Sequence, residues 1–164
     1  MKLVSVENIP KAQDTPVDNL MKIYKTCLQM EKICIDGNGI GLAALQIGVP
    51  WRLFIARHLG NFQYYINCEY SSLVDINQKH LQSIEGCLSF PDRKFLVERY
   101  PKINVVGKML IVDNDLKLVD FNIDITDTKD IFLIIAQHEI DHFYGREKMI
   151  DLIGREIEIF ELGT

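Results

Sequence analysis

Ile131-Phe132-Leu133-Ile134-Ile135-Ala136-Gln137-His138-Glu139-Ile140-Asp141-His142 is the stretch from which the rest of the chain is read. Its first half is apolar on every side, as a helix in the middle of a core would be, and Gly145 offers a C-terminal stop. On such a helix residues i and i+4 share a face, so His138 and His142 can send their imidazoles to one point. Glu139 sits roughly 100° round the helix from His138, close enough to face a water held by a metal there. Two His, a Glu and an Asp on a buried helix are costly unless something binds them. The competing reading is a pair of satisfied core histidines with an ion pair at the helix end.

With 164 residues the chain can bury a real core, and it is read as one domain spanning residues 1–164. Apolar residues make up 48% and charged residues 25%, the balance of a soluble globular protein. The net charge of −5, with no basic tract, argues against a nucleic-acid partner. The opening Met1-Lys2-Leu3-Val4-Ser5-Val6-Glu7 has no apolar signal core and no apolar run is long enough to span a bilayer. No membrane partner is therefore expected, and a cytosolic or matrix-type compartment is. Cys27, Cys34, Cys68 and Cys87 are few and unpatterned, which favours reduced thiols, one of them serving as a ligand, over a disulfide framework.

Asp14-Thr15-Pro16 has the chemistry of a helix start, and Val17, Leu20, Tyr24, Cys27, Leu28 and Ile33 recur at helical spacing, so a first helix is expected over about 16–34. Cys27 and Cys34 are read as small core hydrophobes. Three glycines in Asp36-Gly37-Asn38-Gly39-Ile40-Gly41 end that helix and let backbone pass close to a ligand, or simply make a flexible turn. The period then becomes two. Trp51 to Ala56 and Phe62 to Asn67 read as strands joined by a turn at His58 to Asn61, and Ser71 to Asp75, Lys102 to Val112 and Leu116 to Ile125 as further strands. Asp113-Asn114-Asp115 makes the last two a hairpin. His58 and His80 are expected in solvent. The whole reads as an α+β fold: an N-terminal helix, antiparallel β-sheets and a buried central helix bearing His-Glu-Ile-Asp-His.

Ile84-Glu85-Gly86-Cys87-Leu88-Ser89-Phe90-Pro91 reads as an irregular turn presenting Cys87, although a buried apolar cysteine fits the segment taken alone. Beside the histidine helix, Cys87 is the natural third metal ligand. A Cys/His/His set leaves a fourth position for water, whereas a structural zinc site closes it with a protein ligand.

Gly39-Ile-Gly-Leu-Ala-Ala-Leu-Gln46, Glu85-Gly-Cys-Leu-Ser89 and Gln137-His-Glu-Ile-Asp-His142 resemble, in order and spacing, the three motifs of the peptide deformylases. The resemblance runs from about residue 15 to 153. It implies an enzyme that hydrolyses the N-formyl group from the N-terminal formylmethionine of nascent polypeptides, releasing formate. Its partner is then the N-formylmethionyl end of a nascent peptide, with the ribosome exit region a further expected contact. It makes Cys87, His138 and His142 the metal ligands and Glu139 the general acid/base. Gln46 and the Leu88 N–H match the groups that bind the oxyanion. Glu85 and Arg99 resemble a buried pair bracing the cysteine loop. Ile40 and Gly41 would meet the substrate, Lys94 stands where bacterial relatives often carry arginine, and Ile131, Ile134 and Ile135 would line the methionine pocket. Asp141 matches the motif without a chemical task and is read as a helix-anchoring hydrogen-bond partner.

The chemistry suits those assignments: a formamide is a poor electrophile, and a metal lowers the pKa of water towards ~7. Thiolate with two imidazoles fits Fe²⁺, Zn²⁺, Co²⁺ or Ni²⁺, and the resemblance favours Fe²⁺, one ion per chain. Two departures stand out. Asn67-Cys68-Glu69 has cysteine where the family usually has proline, which should loosen that strand's exit. The tail from Gly154 is short, with Glu156-Ile157-Glu158-Ile159 reading as a strand or loose end, as in copies carried by bacteriophages or organelles. Two rivals compete. A zinc endopeptidase also uses His-Glu-x-x-His, but Lys148 occupies the place of the third histidine of one large group, and a downstream Glu would leave Cys87 without a role. A closed structural metal site would need a fourth ligand.

Overall fold

The computed structural model describes residues 1–58, 60–75 and 79–145, together with the backbone of Arg155 and Glu156. Helix α1 (Leu20–Asp36) is followed by strand β1 (Gly41–Ala43), a short 3-10 turn (Ala44–Ile47), β2 (Leu53–His58) and β3 (Asn61–Ser72). Then come β4 (Leu81–Cys87), β5 (Phe90–Arg99), β6 (Ile103–Val112), β7 (Leu116–Ile125), α2 (Ile131–Asp141) with a 3-10 turn (His142–Tyr144), and the two-residue β8 (Arg155–Glu156). One sheet has the order β1-β2-β3-β6-β7 and the other β4-β5-β8, and every pairing between their strands is antiparallel.

The larger sheet is covered on both faces at β2, which explains the uninterrupted apolar run of that strand. Leu53 and Ile55 point towards α1, where Ile23, Cys27, Met30 and Cys34 form its inner stripe; Phe54 and Ala56 point the other way, into a cluster with Leu133, Ala136 and Ile140 of α2. Helix α2 is therefore apolar all round because it is enclosed, and Asp130 caps it by accepting the Phe132 N–H. Gly145, with φ of +99°, lets the chain leave after the 3-10 turn. No helix among the described residues is long and apolar enough to cross a membrane.

The elements differ from the sequence expectation at several points. Helix α1 starts at Leu20 and not near Pro16, with Asn19 as its cap accepting the Lys22 N–H. Thr15 is instead held by Asn67, whose amide oxygen takes the Thr15 N–H at 2.7 Å and whose amide nitrogen donates to the Thr15 carbonyl at 3.2 Å. Residues 71–75 are not a separate strand, since β3 continues to Ser72. Residues 84–91 are not an irregular turn: only Leu88 and Ser89 turn, between paired strands β4 and β5. His58 is not in solvent; its ring stacks on Phe132 at 4.7 Å, and Nε2 lies 2.7 Å from Gln63 Oε1 and 2.9 Å from the Tyr65 hydroxyl. His80 lies edge-on to Tyr100 and is likewise no free surface side chain. Of the expected tail strand only Glu156 is described, and it and the preceding Arg155 pair with Phe95 and Leu96, while residues 157–164 lie outside the described residues.

Cys68 does not loosen the exit of β3. Pairing with β6 passes from Ile66↔Lys108 to Glu69↔Val106, so β3 holds one extra residue, a β-bulge, and then resumes. Asn67 adopts φ of +52° there, and Cys68 is fully buried against Gly107. A Cβ at Gly107 would stand 2.7 Å from the Cys68 Cα and 3.0 Å from its nitrogen, so backbone would have to move. Gly107→Ala is accordingly expected to destabilise the fold by about 1–3 kcal/mol, measured as a lower urea midpoint at unchanged slope; an unshifted midpoint would contradict the close approach.

Candidate active site

The site forms where three segments meet. Helix α2 contributes His138, Glu139 and Asp141, with His142 one residue beyond it; the end of β4 contributes Glu85 and Cys87; and the 3-10 turn after β1 contributes Gln46. The Cys87 thiol and one ring nitrogen each from His138 and His142 all lie within 4.8 Å of one another. Cys87 Sγ is 3.7 Å from His142 Nε2. Ligands about 2.0–2.3 Å from a tetrahedral ion stand roughly 3.3–3.8 Å apart, so the donor set fits a soft-to-borderline divalent metal.

The surroundings support that fit. His138 Nδ1 donates to Glu85 Oε2 at 2.7 Å, which fixes its tautomer and leaves its other nitrogen for the thiol side. Burial alone would lower the His138 pKa, but hydrogen bonds with Cys87 and Glu85 and the nearby Glu139 push it well above its ordinary value: the centre favours positive charge. His142 is driven the other way, first by burial and then by His138, and so is held as the neutral imidazole that a metal requires. Its Nδ1 and Glu139 Oε2 are buried without a hydrogen-bond partner among the described residues.

Glu139 is 4% exposed, and burial raises its carboxyl to about 7 against the opposing charge of His138. Backbone comes against it from β1: a Cβ at Gly41 would collide with its carboxylate and displace it. Gln46 is fixed at both ends. Its Oε1 accepts the Ala43 N–H at 2.9 Å, which aims Nε2 at Ser89 Oγ (3.0 Å) and the Cys87 sulfur (3.4 Å). Leu88 sits in the two-residue turn, its side chain against Gly37 and Gly39, where any Cβ would strike it. That packing locks the cysteine turn to the end of α1.

Beneath the donors lies a buried charge network. Arg99 grips Glu85 bidentately, Nε to Oε1 at 2.8 Å and Nη2 to Oε2 at 2.7 Å, and Nη1 donates to Asp141 Oδ2. Burial would raise the Glu85 carboxyl, but Arg99 and His138 outweigh it and hold it down to about 2. Asp141, read from the sequence as a helix-anchoring hydrogen-bond partner, takes Arg99 on one oxygen and the Tyr70 hydroxyl on the other at 2.8 Å. Sequence reasoning missed Tyr70 and Ser89. Ser89 is a motif residue and could have been noticed, whereas nothing local marks Tyr70.

The remaining candidates lie around this centre. Ile40 is 47% and Ile131 50% exposed and Ile134 is half-buried, while Ile135, 3% exposed, belongs to the core between α2 and the sheet. The Lys94 ammonium lies over Gly86, 2.8 Å from where a Cβ would stand. His58 and His80 stand among other partners and lie outside the donor group.

Comparison with known proteins agrees with the geometry. The family model described as polypeptide deformylase matches residues 4–153. A peptide deformylase of Desulfotalea psychrophila is 33% identical over 127 residues, covering 76% of this chain and 69% of the relative. One of Bartonella tribocorum is 35% identical, covering 94% and 86%. Among solved structures, the deformylase of Vibrio parahaemolyticus bacteriophage VP16T, in complex with actinonin, superimposes with a TM-score of 0.66 at 29% identity, covering 87% of this chain and 96% of that one. A probable deformylase of Synechococcus phage S-SSM7 shares the fold, with a TM-score of 0.71 at 23% identity over 93% and 99%. The chain belongs to the peptide deformylase family, metal-dependent hydrolases that act on formylated N-terminal peptides.

Proposed function

We propose that this deformylase acts on the formylmethionine of nascent polypeptides with iron(II) as its native ion, in the cytoplasm of a bacterium or phage host or in an organelle, near the ribosome exit. The meeting of Cys87, His138 and His142 beside a buried Glu139, whose Oε2 has no hydrogen-bond partner among the described residues, carries the assignment of roles. Those three residues would hold the ion, which supplies Lewis acidity towards the formyl oxygen and lowers the pKa of water towards ~7.

The chain's own groups divide the remaining work. Glu139, its carboxyl near 7, is matched to taking a proton from the attacking water at neutral pH and delivering it to the departing amine. Oε2 is the atom suited to that, since no hydrogen bond from the described residues holds it. Charge growing on the formyl oxygen would be met by the Gln46 amide, already aimed at the thiol, and by the Leu88 N–H next to Cys87. Glu85 and Arg99 brace His138 and the cysteine strand. Ile40 and Gly41 would offer backbone and a wall to the peptide, Lys94 a cation to its carbonyls, and Ile131, Ile134 and Ile135 the floor of the methionine pocket. The exposure of Ile40 and Ile131 suits contact with a ligand, and Ile135 would act from the core side.

Formate release from N-formyl-Met-Ala-Ser by anaerobically prepared protein tests the assignment. The parent should turn over, and Glu139→Ala should lose at least about 10²-fold; equal turnover in the two would remove Glu139 from its role. Gln46→Leu should lower kcat by roughly 10²–10³ while KM changes far less; a loss confined to KM would make Gln46 a binding group only. For the ligand set, elemental analysis of Cys87→Ala should find the metal largely gone. An undiminished content would point back to a site built on the histidine helix and a carboxylate.

A further inference from the structure

We propose that Tyr70 is a positioning residue of the metal site, setting the orientation of His138 through Asp141, Arg99 and Glu85. The chain of contacts is continuous. The Tyr70 hydroxyl donates to Asp141 Oδ1 at 2.8 Å, Arg99 joins Asp141 Oδ2 to both oxygens of Glu85, and Glu85 Oε2 accepts from His138 Nδ1 at 2.7 Å. Asp141, Arg99 and Glu85 are 3%, 4% and 7% exposed, so the middle of the chain is shielded from solvent. The inference rests on the reading that Cys87, His138 and His142 hold a metal.

The backbone delivers Tyr70 to this place by a specific device. On an unbroken strand Tyr70 would share the face of Tyr64 and Ile66, which pack towards α1. The extra residue in β3 reverses the alternation, so Cys68 and Tyr70 join Tyr65 in the cluster that contains α2. Asn67, in its left-handed conformation and tied to Thr15, and the missing Cβ of Gly107 make that bulge possible.

The phenol matters because Asp141 has two oxygens and one guanidinium. With Tyr70 on Oδ1, the carboxylate is held so that Oδ2 faces Arg99. Without it, Oδ1 is buried and unpaired, and Asp141 can turn and draw Arg99 away from Glu85. Glu85 Oε2 accepts from both Arg99 and His138, so movement of the one reaches the other. Orientation of a ligating imidazole by the carboxylate on its second nitrogen is a known determinant of metal retention.

Tyr70→Phe keeps the ring beside Tyr100 and removes only the hydroxyl. With cobalt(II)-loaded protein, we expect metal release to a chelator, well below the unfolding temperature, to quicken about three- to tenfold, less than the ten- to hundredfold typical of a direct partner of a ligand. Glu85→Gln should quicken it more, and Tyr70→Phe should add nothing on top of Glu85→Gln. The cobalt absorption bands should also shift in Tyr70→Phe. An unchanged release rate, or effects that multiply, would overturn the proposal, as would a variant whose only change is a lower melting temperature. Should Tyr70→Phe fail to fold, Asp141→Asn must show the same quickening and the same lack of additivity with Glu85→Gln, and otherwise the proposal falls. A parent that bound no cobalt would overturn the metal reading and this inference together. A parent that bound it but released no formate would overturn the deformylase roles alone.

Discussion

A guanidinium buried between two carboxylates is the constraint on which the site depends. Glu85 is on β4, Arg99 ends β5 and Asp141 ends α2, so this single cluster ties the small sheet to the helix that carries the histidines. Burying three charged groups costs several kcal/mol per ion, and an apolar replacement of equal volume is often no less stable. Stability therefore does not account for the cluster. Its effect is geometric: with Arg99 in place Glu85 can point only one way, and the strand carrying Glu85 also carries Cys87 two residues on. Position of the thiol and orientation of the His138 ring are thus set by the same pair of hydrogen bonds.

The opposite side of the centre is built from glycines. Gly37 and Gly39 leave room for the Leu88 side chain, and Gly41 lets β1 run against the Glu139 carboxylate. A side chain at any of these three would displace the side chain it meets, Leu88 at Gly37, Leu88 and Cys34 at Gly39, and the Glu139 carboxylate at Gly41. The same approach of β1 helps exclude water from Glu139, and burial is the first cause of its raised pKa. Backbone packing and proton chemistry are here one fact, since the residue that permits the contact also creates the low-dielectric surroundings.

Much of this was legible in the residues. Helix α2 was, because ligand-type side chains at i and i+4 on an otherwise apolar run leave few alternatives, and so was the β6–β7 hairpin, whose alternating strands flank Asp113-Asn114-Asp115. The β4–β5 hairpin was not. Gly86 and Pro91 read as breakers, and the usual alternation is inverted there, since Ile84 is exposed while the charged Glu85 and Arg99 are buried. The start of α1 was misplaced because Asp14-Thr15-Pro16 has real capping chemistry, which a contact from Asn67, 52 residues away, overrides. His58 looked solvated for a related reason: the aromatic ring it stacks on belongs to α2. Tyr70 was beyond reach altogether, because one extra residue in a strand inverts its facing, and only the partner strand reveals it.

Charge balance connects the pieces. Glu85, Asp141 and Glu139 are all buried beside the histidines or behind them, and the buried Arg99 guanidinium joins the first two. Such an excess of acid in a low-dielectric space is unfavourable unless positive charge enters or a proton stays, and the structure shows both pressures: His138 is pushed up and Glu139 is held near 7. A divalent cation on Cys87, His138 and His142 would relieve the first by taking the place of the His138 proton. Glu139 would then face that cation from one side and apolar burial from the other, and these act on its pKa in opposite directions. A carboxyl balanced in this way can take up a proton and give it back at neutral pH, which suits the role proposed for it.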